Sequence, residues 1–104
     1  MEMADLWSRI KETSTVKELL KGLEEEPARM LRAICAQYSR EQAPVPDHRL
    51  PWAGYIGEVA VRALMEAGLV QREPGGHGAI YDYRPTEEGL KYYREAMVKE
   101  ENKQ

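Results

Sequence analysis

Apolar residues recur along this chain at two different spacings, and the change from one spacing to the other divides it into predicted elements. Steps of three and four residues, typical of one buried helix face, occur near both termini and through residues 16–38 and 52–67. Alternation of apolar and polar residues, typical of a half-buried strand, appears instead between residues 69 and 84. The pattern therefore predicts several helices, with one β-hairpin before the last of them.

The first predicted helix lies at the N-terminus and carries a stripe of apolar side chains. Met3, Leu6, Trp7 and Ile10 are spaced by three and four residues, which places them on one helix face. Two interpretations of this stripe remain open: the helix folds back onto the core of its own chain, or it forms part of a dimer interface. The segment Thr15–Glu18 then has the spacing of a capping box, which predicts the start of a second helix.

A run of three glutamates at positions 24–26 stands directly before Pro27. Proline fits the first turn of a helix better than its interior, so a new helix is predicted from Pro27 to about Ser39. The acidic run is then the solvated start of that helix, stabilised by the helix dipole. Cys35 lies on the apolar stripe of the same helix, which predicts a small buried side chain rather than a reactive thiol.

Prolines at positions 44, 46 and 51 leave little room for a regular helix in the next segment. Either one helical turn at Asp47–Leu50 or an extended loop fits this composition. A helix is predicted from Trp52 to Ala67, and its core-facing positions are Trp52, Ile56, Val59, Ala60, Ala63 and Leu64. The opposite face carries Ala53, Gly54, Gly57, Glu58, Val61 and Arg62.

A hairpin is predicted after this helix. Gly68 fits the position after the last helical turn, where a left-handed backbone conformation ends the helix and costs glycine little free energy. Strands are predicted at Leu69–Glu73 and Ile80–Arg84, because a cluster of proline and glycine at 74–78 separates them as a turn. Tyr81 and Tyr83 fall on one face of the second strand, as a half-buried strand requires.

The last helix is predicted to begin just after the hairpin. Pro85 is expected to end the strand pairing, and Thr86 to cap the helix that follows. The run LMEAGLVQRE, then a GG pair, then IYDYRPTEEG, resembles the end of the winged helix-turn-helix domain in regulators of the MarR and PadR type. The resemblance covers the C-terminal half of the chain well and the N-terminal half in outline.

The resemblance implies a fold that is mainly α with a small β-hairpin wing, in the α+β class. It implies a winged helix-turn-helix with extra N- and C-terminal helices. One winged-helix domain over residues 1–104 is then expected, with an N-terminal helix at 1–13, a core at 15–85 and a C-terminal helix at 86–101. The length of 104 residues fits a single domain.

Charge is distributed unevenly around a formal total of −3. Residues 1–26 and 73–104 are net acidic, whereas residues 27–72 carry six arginines against four acids. A modest positive zone therefore lies where the resemblance places the DNA-binding helix, and nucleic-acid affinity rests on such charges. No apolar run approaches the ~20 residues of a membrane-spanning helix, and the N-terminus carries acids, so a cytoplasmic protein is expected.

Catalytic and metal-binding motifs are not found in the sequence. His48 and His77 lie in separate predicted loops, with no carboxylate, serine or cysteine at a motif spacing. The glycines at 75–78 stand between strands rather than before a helix, so they do not form an anion site. A single cysteine excludes an internal disulfide. The chain is therefore expected not to be an enzyme and to need no cofactor or metal.

The function implied by the resemblance is transcriptional regulation through double-stranded DNA. The start of the Trp52 helix would enter the major groove of DNA, and the hairpin tip would contact a neighbouring minor groove or phosphate. The candidate nucleic-acid-binding residues are His48, Arg49, Tyr55, Arg62, Arg72, His77 and Arg84. The expected homodimer interface comprises Leu6, Trp7, Ile10, Leu90, Tyr93 and Met97.

An alternative function uses the same fold as a module for protein association without DNA. The groove-facing side of the Trp52 helix offers small residues and Glu58, whereas base edges are usually read by larger polar side chains. A protein partner would then contact Ala53, Gly54, Gly57 and Val61. The two functions remain open at this stage.

Overall fold

The fold is mainly helical with a small antiparallel sheet, which confirms the predicted α+β class. The computed structural model describes residues 2–102. The elements in that range are α1 (Met3–Lys11), α2 (Ser14–Glu41), β1 (Val45–Pro46), a 3-10 turn (Asp47–Arg49), α3 (Gly54–Glu66), β2 (Val70–Pro74), β3 (Tyr81–Pro85) and α4 (Glu87–Asn102). The strands are ordered β1-β3-β2. None of the helices described combines the length and the apolar character needed to cross a bilayer.

α2 is one continuous helix, so the predicted boundary at Pro27 is wrong. Pro27 lies inside the helix, and the N-cap is Thr13 rather than Thr15, since its side-chain oxygen accepts from the backbone N–H of Val16. A proline in a helix interior removes one hydrogen bond and costs about 3 kcal/mol. Burial of the apolar residues that follow Pro27 outweighs this cost, because each fully buried aliphatic side chain contributes about 1.5–3 kcal/mol.

The acidic run before Pro27 is not fully solvated, contrary to the prediction. Glu26 is only 8% exposed, and its carboxylate forms an ion pair with Arg29. Arg29 also donates to the backbone oxygen of Pro51, 2.6 Å away. Glu26 and Arg29 therefore anchor the segment before α3 to the middle of α2.

The proline-rich segment contains both a short strand and a 3-10 turn. β1 pairs with β3, with Val45 opposite Tyr83 and Pro46 opposite Asp82. Val45 is 1% exposed, so this strand contributes to the core. β1 was not predicted from the sequence, because its two residues, one of them proline, are too few to show the alternation of apolar and polar residues that indicates a strand.

α3 begins two residues later than predicted, and its buried face includes Ala60 and Leu64 as predicted but is rotated toward neighbouring positions. Trp52 precedes the helix, and Gly57 packs beneath its ring, where a Cβ atom would stand 3.4 Å from the indole. Gly57 and Val61 are buried whereas Ala63 is exposed, which reverses the predicted sides of these three residues. The predicted surface for a protein partner therefore retains only Ala53 and Gly54 as exposed members.

The hairpin forms as predicted, with its strands shifted by one residue. Gly68 has φ +76 and closes α3, because its N–H bonds to Met65 and that of Leu69 bonds to Leu64. The strand pairing ends at Pro85, as expected, although Pro85 itself still stands opposite Val70 in the last pair. A proline is tolerated there because it is the last residue of the strand. Thr86 caps α4 as predicted, accepting from the N–H of Gly89 at 3.1 Å.

The core lies between α2, α3, α4 and the sheet. Its buried apolar residues are Met30, Leu31, Ile34, Cys35, Val45, Leu50, Ala60, Val61, Leu64, Val70 and Tyr83. Leu90 and Tyr93 of α4 pack against this core and are half-buried. Part of the apolar stripe expected at the dimer interface is therefore used within the chain.

The N-terminal helix leaves its apolar stripe uncovered. Trp7 is 54% exposed, and Leu6 and Ile10 are 41% and 39% exposed. No residue of α1 is buried. The interpretation in which this helix folds back onto the core is therefore wrong, and the dimer interpretation stays a prediction.

Gly89 is required by the close approach of α4 to the turn after α3. A Cβ atom at this position would overlap the backbone oxygen of Leu69. We expect Gly89→Ala to lower the free energy of unfolding by about 1–3 kcal/mol, as overpacking does. Urea denaturation measures this change. Gly76→Ala is the control, because nothing stands within 4 Å of its added Cβ, and equal losses in both variants would contradict the packing argument.

Cys35 is fully buried, as predicted, and its thiol lies 3.8 Å from the backbone oxygen of Gly89. Burial raises the pKa of this thiol from 9.0 to about 11, while Arg94 nearby opposes the shift. The folded state therefore keeps the proton that the unfolded state loses, and stability should fall as the pH rises from about 9 to 11. A two-unit shift corresponds to roughly 2–3 kcal/mol.

Unfolding free energies measured across this pH range should fall less steeply in Cys35→Ala, which removes the titrating group. The buried Tyr83 titrates in the same direction in both proteins, since burial raises its pKa, so the difference between them isolates the thiol. Parallel pH profiles for the two proteins would show that Cys35 is not desolvated.

Candidate nucleic-acid interface

A groove of about 440 Å³ lies between α3, the 3-10 turn and the hairpin. Three of the predicted nucleic-acid-binding residues, His48, Arg62 and Arg72, line it. The turn supplies His48, the exposed face of α3 supplies Arg62, and β2 supplies Arg72. The structure thus brings together side chains that are separated by up to 24 positions in the sequence.

Asp47 fixes the geometry of this groove. Its carboxylate accepts hydrogen bonds from the backbone N–H groups of Ile80 and Tyr81, at 3.2 and 3.1 Å. Its backbone oxygen accepts from the indole nitrogen of Trp52 at 2.6 Å. One residue therefore holds both the start of β3 and the segment that leads into α3.

Aromatic rings form the floor beside the basic side chains. The rings of Trp52 and Tyr83 meet edge to face, with centroids 5.9 Å apart, and Tyr83 is 4% exposed. The guanidinium of Arg72 lies 4.0 Å from the ring centre of Tyr81, a distance at which cation–π attraction contributes about 0.5–1 kcal/mol at exposed sites. Arg72 is therefore positioned by a ring, with its charge still available to a ligand.

Two of the predicted arginines lie outside the groove and are paired with carboxylates. The guanidinium of Arg49 contacts both carboxylate oxygens of Glu41 at 2.9 Å. Arg84 lies 3.2 Å from Glu73 across the hairpin. Their charges are offset locally, so both contribute less positive potential than the sequence suggested.

Tyr55 and His77 also stand apart from the groove lining. Tyr55 is 74% exposed in the first turn of α3. His77 is exposed in the hairpin turn, with φ +52. Both lie on elements that border the groove, but neither side chain converges on Arg62 and Arg72.

The groove carries nearly balanced charge. Arg62 and Arg72 are opposed by Asp47 and Glu58, and the charge of Asp47 is partly satisfied by the two N–H groups that it accepts. Among the described side chains, neither Arg62 nor Arg72 forms an ion pair within 4.0 Å. These two guanidinium groups are therefore the principal charges that the groove can offer to an anion.

Several residues of the site could not be identified from the sequence. Asp47 acts through a carboxylate that accepts from backbone N–H groups 33 and 34 positions away, and no local pattern marks such a contact. Ile80, which is 74% exposed, was assigned only to a strand. The pairing of Arg72 with Tyr81 could have been inferred from the hairpin, since both residues occupy the same face once the strand register is known.

Comparisons of this chain with protein-family models, with curated proteins and with solved structures found no match. The function of the chain is therefore inferred from the geometry and chemistry of the groove.

Removal of the Asp47 carboxylate should loosen the hairpin without unfolding the chain. In Asp47→Ala the N–H groups of Ile80 and Tyr81 lose their acceptor, so we expect their hydrogen exchange to accelerate about tenfold or more, the equivalent of about 1.4 kcal/mol. Exchange measured by NMR tests this. Glu41→Ala removes a carboxylate that does not contact these amides, so it should leave the hydrogen exchange of Ile80 and Tyr81 unchanged. Equal acceleration in both variants would contradict the role assigned to Asp47.

Proposed function

We propose that this chain is a winged-helix protein that binds double-stranded DNA as a transcriptional regulator and acts as a homodimer. The observation that carries the proposal is the convergence of Arg62 and Arg72 in one groove between α3 and the hairpin. In this arrangement α3 serves as the recognition helix and the β2–β3 hairpin as the wing. His48, on the adjoining turn, is the third basic side chain of the same surface.

The order of elements supports the winged-helix part of this proposal. A long helix, a short strand, a turn, a second helix and a hairpin follow one another, and the first strand pairs with the last. The first helix of a helix-turn-helix motif is here reduced to the turn Asp47–Arg49. The path from the turn into α3 is held instead by the hydrogen bond from Trp52 to Asp47 and by that from Arg29 to Pro51.

The arginines are suited to phosphate contacts rather than to reading bases. Arg62 lies toward the C-terminal end of α3, and the first turn of this helix offers Tyr55 as its large exposed side chain. Phosphate contacts position a protein on DNA and carry no sequence information, whereas base-edge contacts do. We therefore expect DNA binding with strong salt dependence and modest sequence preference.

A second candidate function is association with another protein at the same groove. It is favoured by the carboxylate of Glu58 among the lining residues, which would repel phosphate, and by the 74% exposure of Ile80 at the edge. A protein partner would cover this apolar side chain and pair with charges of both signs. The absence of DNA binding at low salt would favour this second function.

Fluorescence anisotropy with a labelled random duplex at low salt tests the proposed DNA binding directly. If each arginine contacts one phosphate, Arg62→Ala and Arg72→Ala should weaken binding severalfold and reduce the salt slope by about 1 each. Lys91→Ala on α4 removes the same charge from a residue outside the groove lining and should have little effect. Equal weakening by all three substitutions would contradict the assigned site, and absence of binding would reject the DNA-binding function.

A further inference from the structure

The apolar stripe of α2 is longer than the core that it packs against. Val16, Leu19, Leu20 and Leu23 continue the same helix face that carries Met30 and Ile34 further along. Met30 and Ile34 are fully buried, whereas Leu19, Leu20 and Leu23 are 46%, 42% and 37% exposed. The N-terminal part of α2 therefore presents a continuous row of large apolar side chains that its own chain leaves uncovered.

α1 extends this uncovered surface. Its exposed stripe includes Met3, Leu6, Trp7 and Ile10, and Thr13 links it to α2 through hydrogen bonds on both sides. We call α1 together with residues 14–25 of α2 the arm. The arm holds seven of the large hydrophobic residues that are exposed in the described chain.

The overall dimensions show that the chain leaves more surface uncovered than a compact monomer of its length does. The radius of gyration is 16.6 Å, whereas a compact domain of this length has about 13 Å. The accessible surface is 7580 Å², whereas about 5,900 Å² is expected for a compact monomer of 11.9 kDa. The excess, about 1,700 Å², compares with the roughly 800 Å² that each partner buries in a stable complex of standard size.

We propose that a second copy of this chain covers the arm, with the two α2 helices packed antiparallel about a two-fold axis near Leu19 and Leu20. In this arrangement Val16 of each helix lies opposite Leu23 of the other. A two-fold axis uses the same patch on both subunits, so a surface that is apolar along its whole length is self-complementary. The inference specifies the interface of the dimer in the proposed function, and it does not require that DNA is bound.

Charges along the arm are compatible with the antiparallel direction. Lys17 and Lys21 stand near its beginning, and Glu24 and Glu25 stand near the end of its exposed part. On a helix of 3.6 residues per turn, Lys17, Lys21 and Glu24 lie on the same flank of the stripe. In the register that sets Val16 opposite Leu23, antiparallel packing brings Lys17 of one helix within one turn of Glu24 of the other, although Lys21 of that helix lies equally near.

The arm is a better interface than the C-terminal stripe expected from the sequence. Leu90 and Tyr93 already pack against the core of their own chain, which leaves less apolar area for a partner. Tyr92 and Val98 are exposed on α4 at 54% each, but they do not continue an uncovered row as the leucines of α2 do. α4 therefore supplies a matched control surface.

Sedimentation equilibrium of the full chain at micromolar concentration, without DNA, tests the interface. We expect a dimer for the unchanged protein and at least a hundredfold weaker self-association for Leu20→Glu. Val98→Glu introduces the same charge at a similarly exposed apolar position on α4 and should leave the dimer intact. Helical circular dichroism of both variants should match the unchanged chain, because neither residue belongs to the core.

If the unchanged protein remained a monomer at a concentration 100-fold above the micromolar range, the proposal would be overturned. A dimer that persists in Leu20→Glu would overturn it too. A dimer lost equally in Val98→Glu would place the interface elsewhere and overturn it as well. Because these measurements contain no DNA, their failure is distinct from failure of DNA binding in the anisotropy assay. The results for Leu20→Glu and Val98→Glu therefore test the dimer interface independently of DNA binding.

Cross-linking with a short bifunctional maleimide tests the antiparallel direction separately. Mixed Lys17→Cys and Glu24→Cys chains should form cross-linked dimers, whereas Glu24→Cys chains alone should not, because the two Glu24 positions lie nine residues, or about 13.5 Å, apart along the helix axis. The natural Cys35 does not interfere, because it is buried and its raised pKa keeps it protonated at neutral pH. Efficient cross-linking of Glu24→Cys chains alone would indicate parallel packing and contradict the proposed arrangement.

Discussion

Burial of the apolar stripe of α2 is the interaction on which the other elements depend. α3, α4 and the strands β1 and β3 all pack against this one helix. Met30, Ile34 and Cys35 are fully buried beneath them. At about 1.5–3 kcal/mol for each large side chain, this burial exceeds the cost of one proline in the helix interior, which explains why α2 passes through Pro27 without a break.

The groove depends on a second constraint, the bonding of Asp47. A turn of three residues cannot hold its position by packing, since it buries none of its own side chains. It is held by hydrogen bonds instead, from the N–H groups of Ile80 and Tyr81 and from the indole of Trp52. The turn then stands where a full helix would otherwise support α3, and a single residue, Asp47, connects the proposed recognition helix to the proposed wing through its backbone oxygen and its carboxylate.

Local signals in the sequence predicted the elements that local chemistry determines. Gly68 closes α3 and Thr86 opens α4, because a left-handed residue and a side-chain cap are required at those positions whatever the tertiary packing. Pro27 misled the prediction because helix continuity there is decided by burial on distant elements. The burial of Gly57 and Val61 was also not predicted. Trp52 lies outside the helix and packs over Gly57, which changes the face of α3 that is buried.

The candidate site was only partly predictable, because its charges depend on partners across the fold. The sequence identified Arg49, Arg62, Arg72 and Arg84 as equivalent bases. Ion pairs with Glu41 and Glu73 separate two of them from the other two, and these pairs form only when the turn and the hairpin are in place. The sequence shows how many charged residues a segment carries, but it does not show which of them form ion pairs in the folded chain.

The distribution of charge also reconciles an acidic chain with the proposed DNA contact. Residues 1–26 carry a net charge of −3, equal to that of the whole chain, so the remaining residues are neutral in total. Lys17 and Glu18 lie about 20 Å along α2 from Met30, at a rise of 1.5 Å per residue, which is twice the Debye length of roughly 8–10 Å at physiological salt. Acidic residues at the start of the arm are therefore screened over this distance, whereas Glu24 and Glu25 lie about 7–9 Å from Met30 along the helix, within one Debye length. Near the junction of α1 and α2, Glu12 pairs with Lys17 at 3.5 Å, and Glu26 pairs with Arg29 further along α2, so part of this acidic charge is offset within the chain itself.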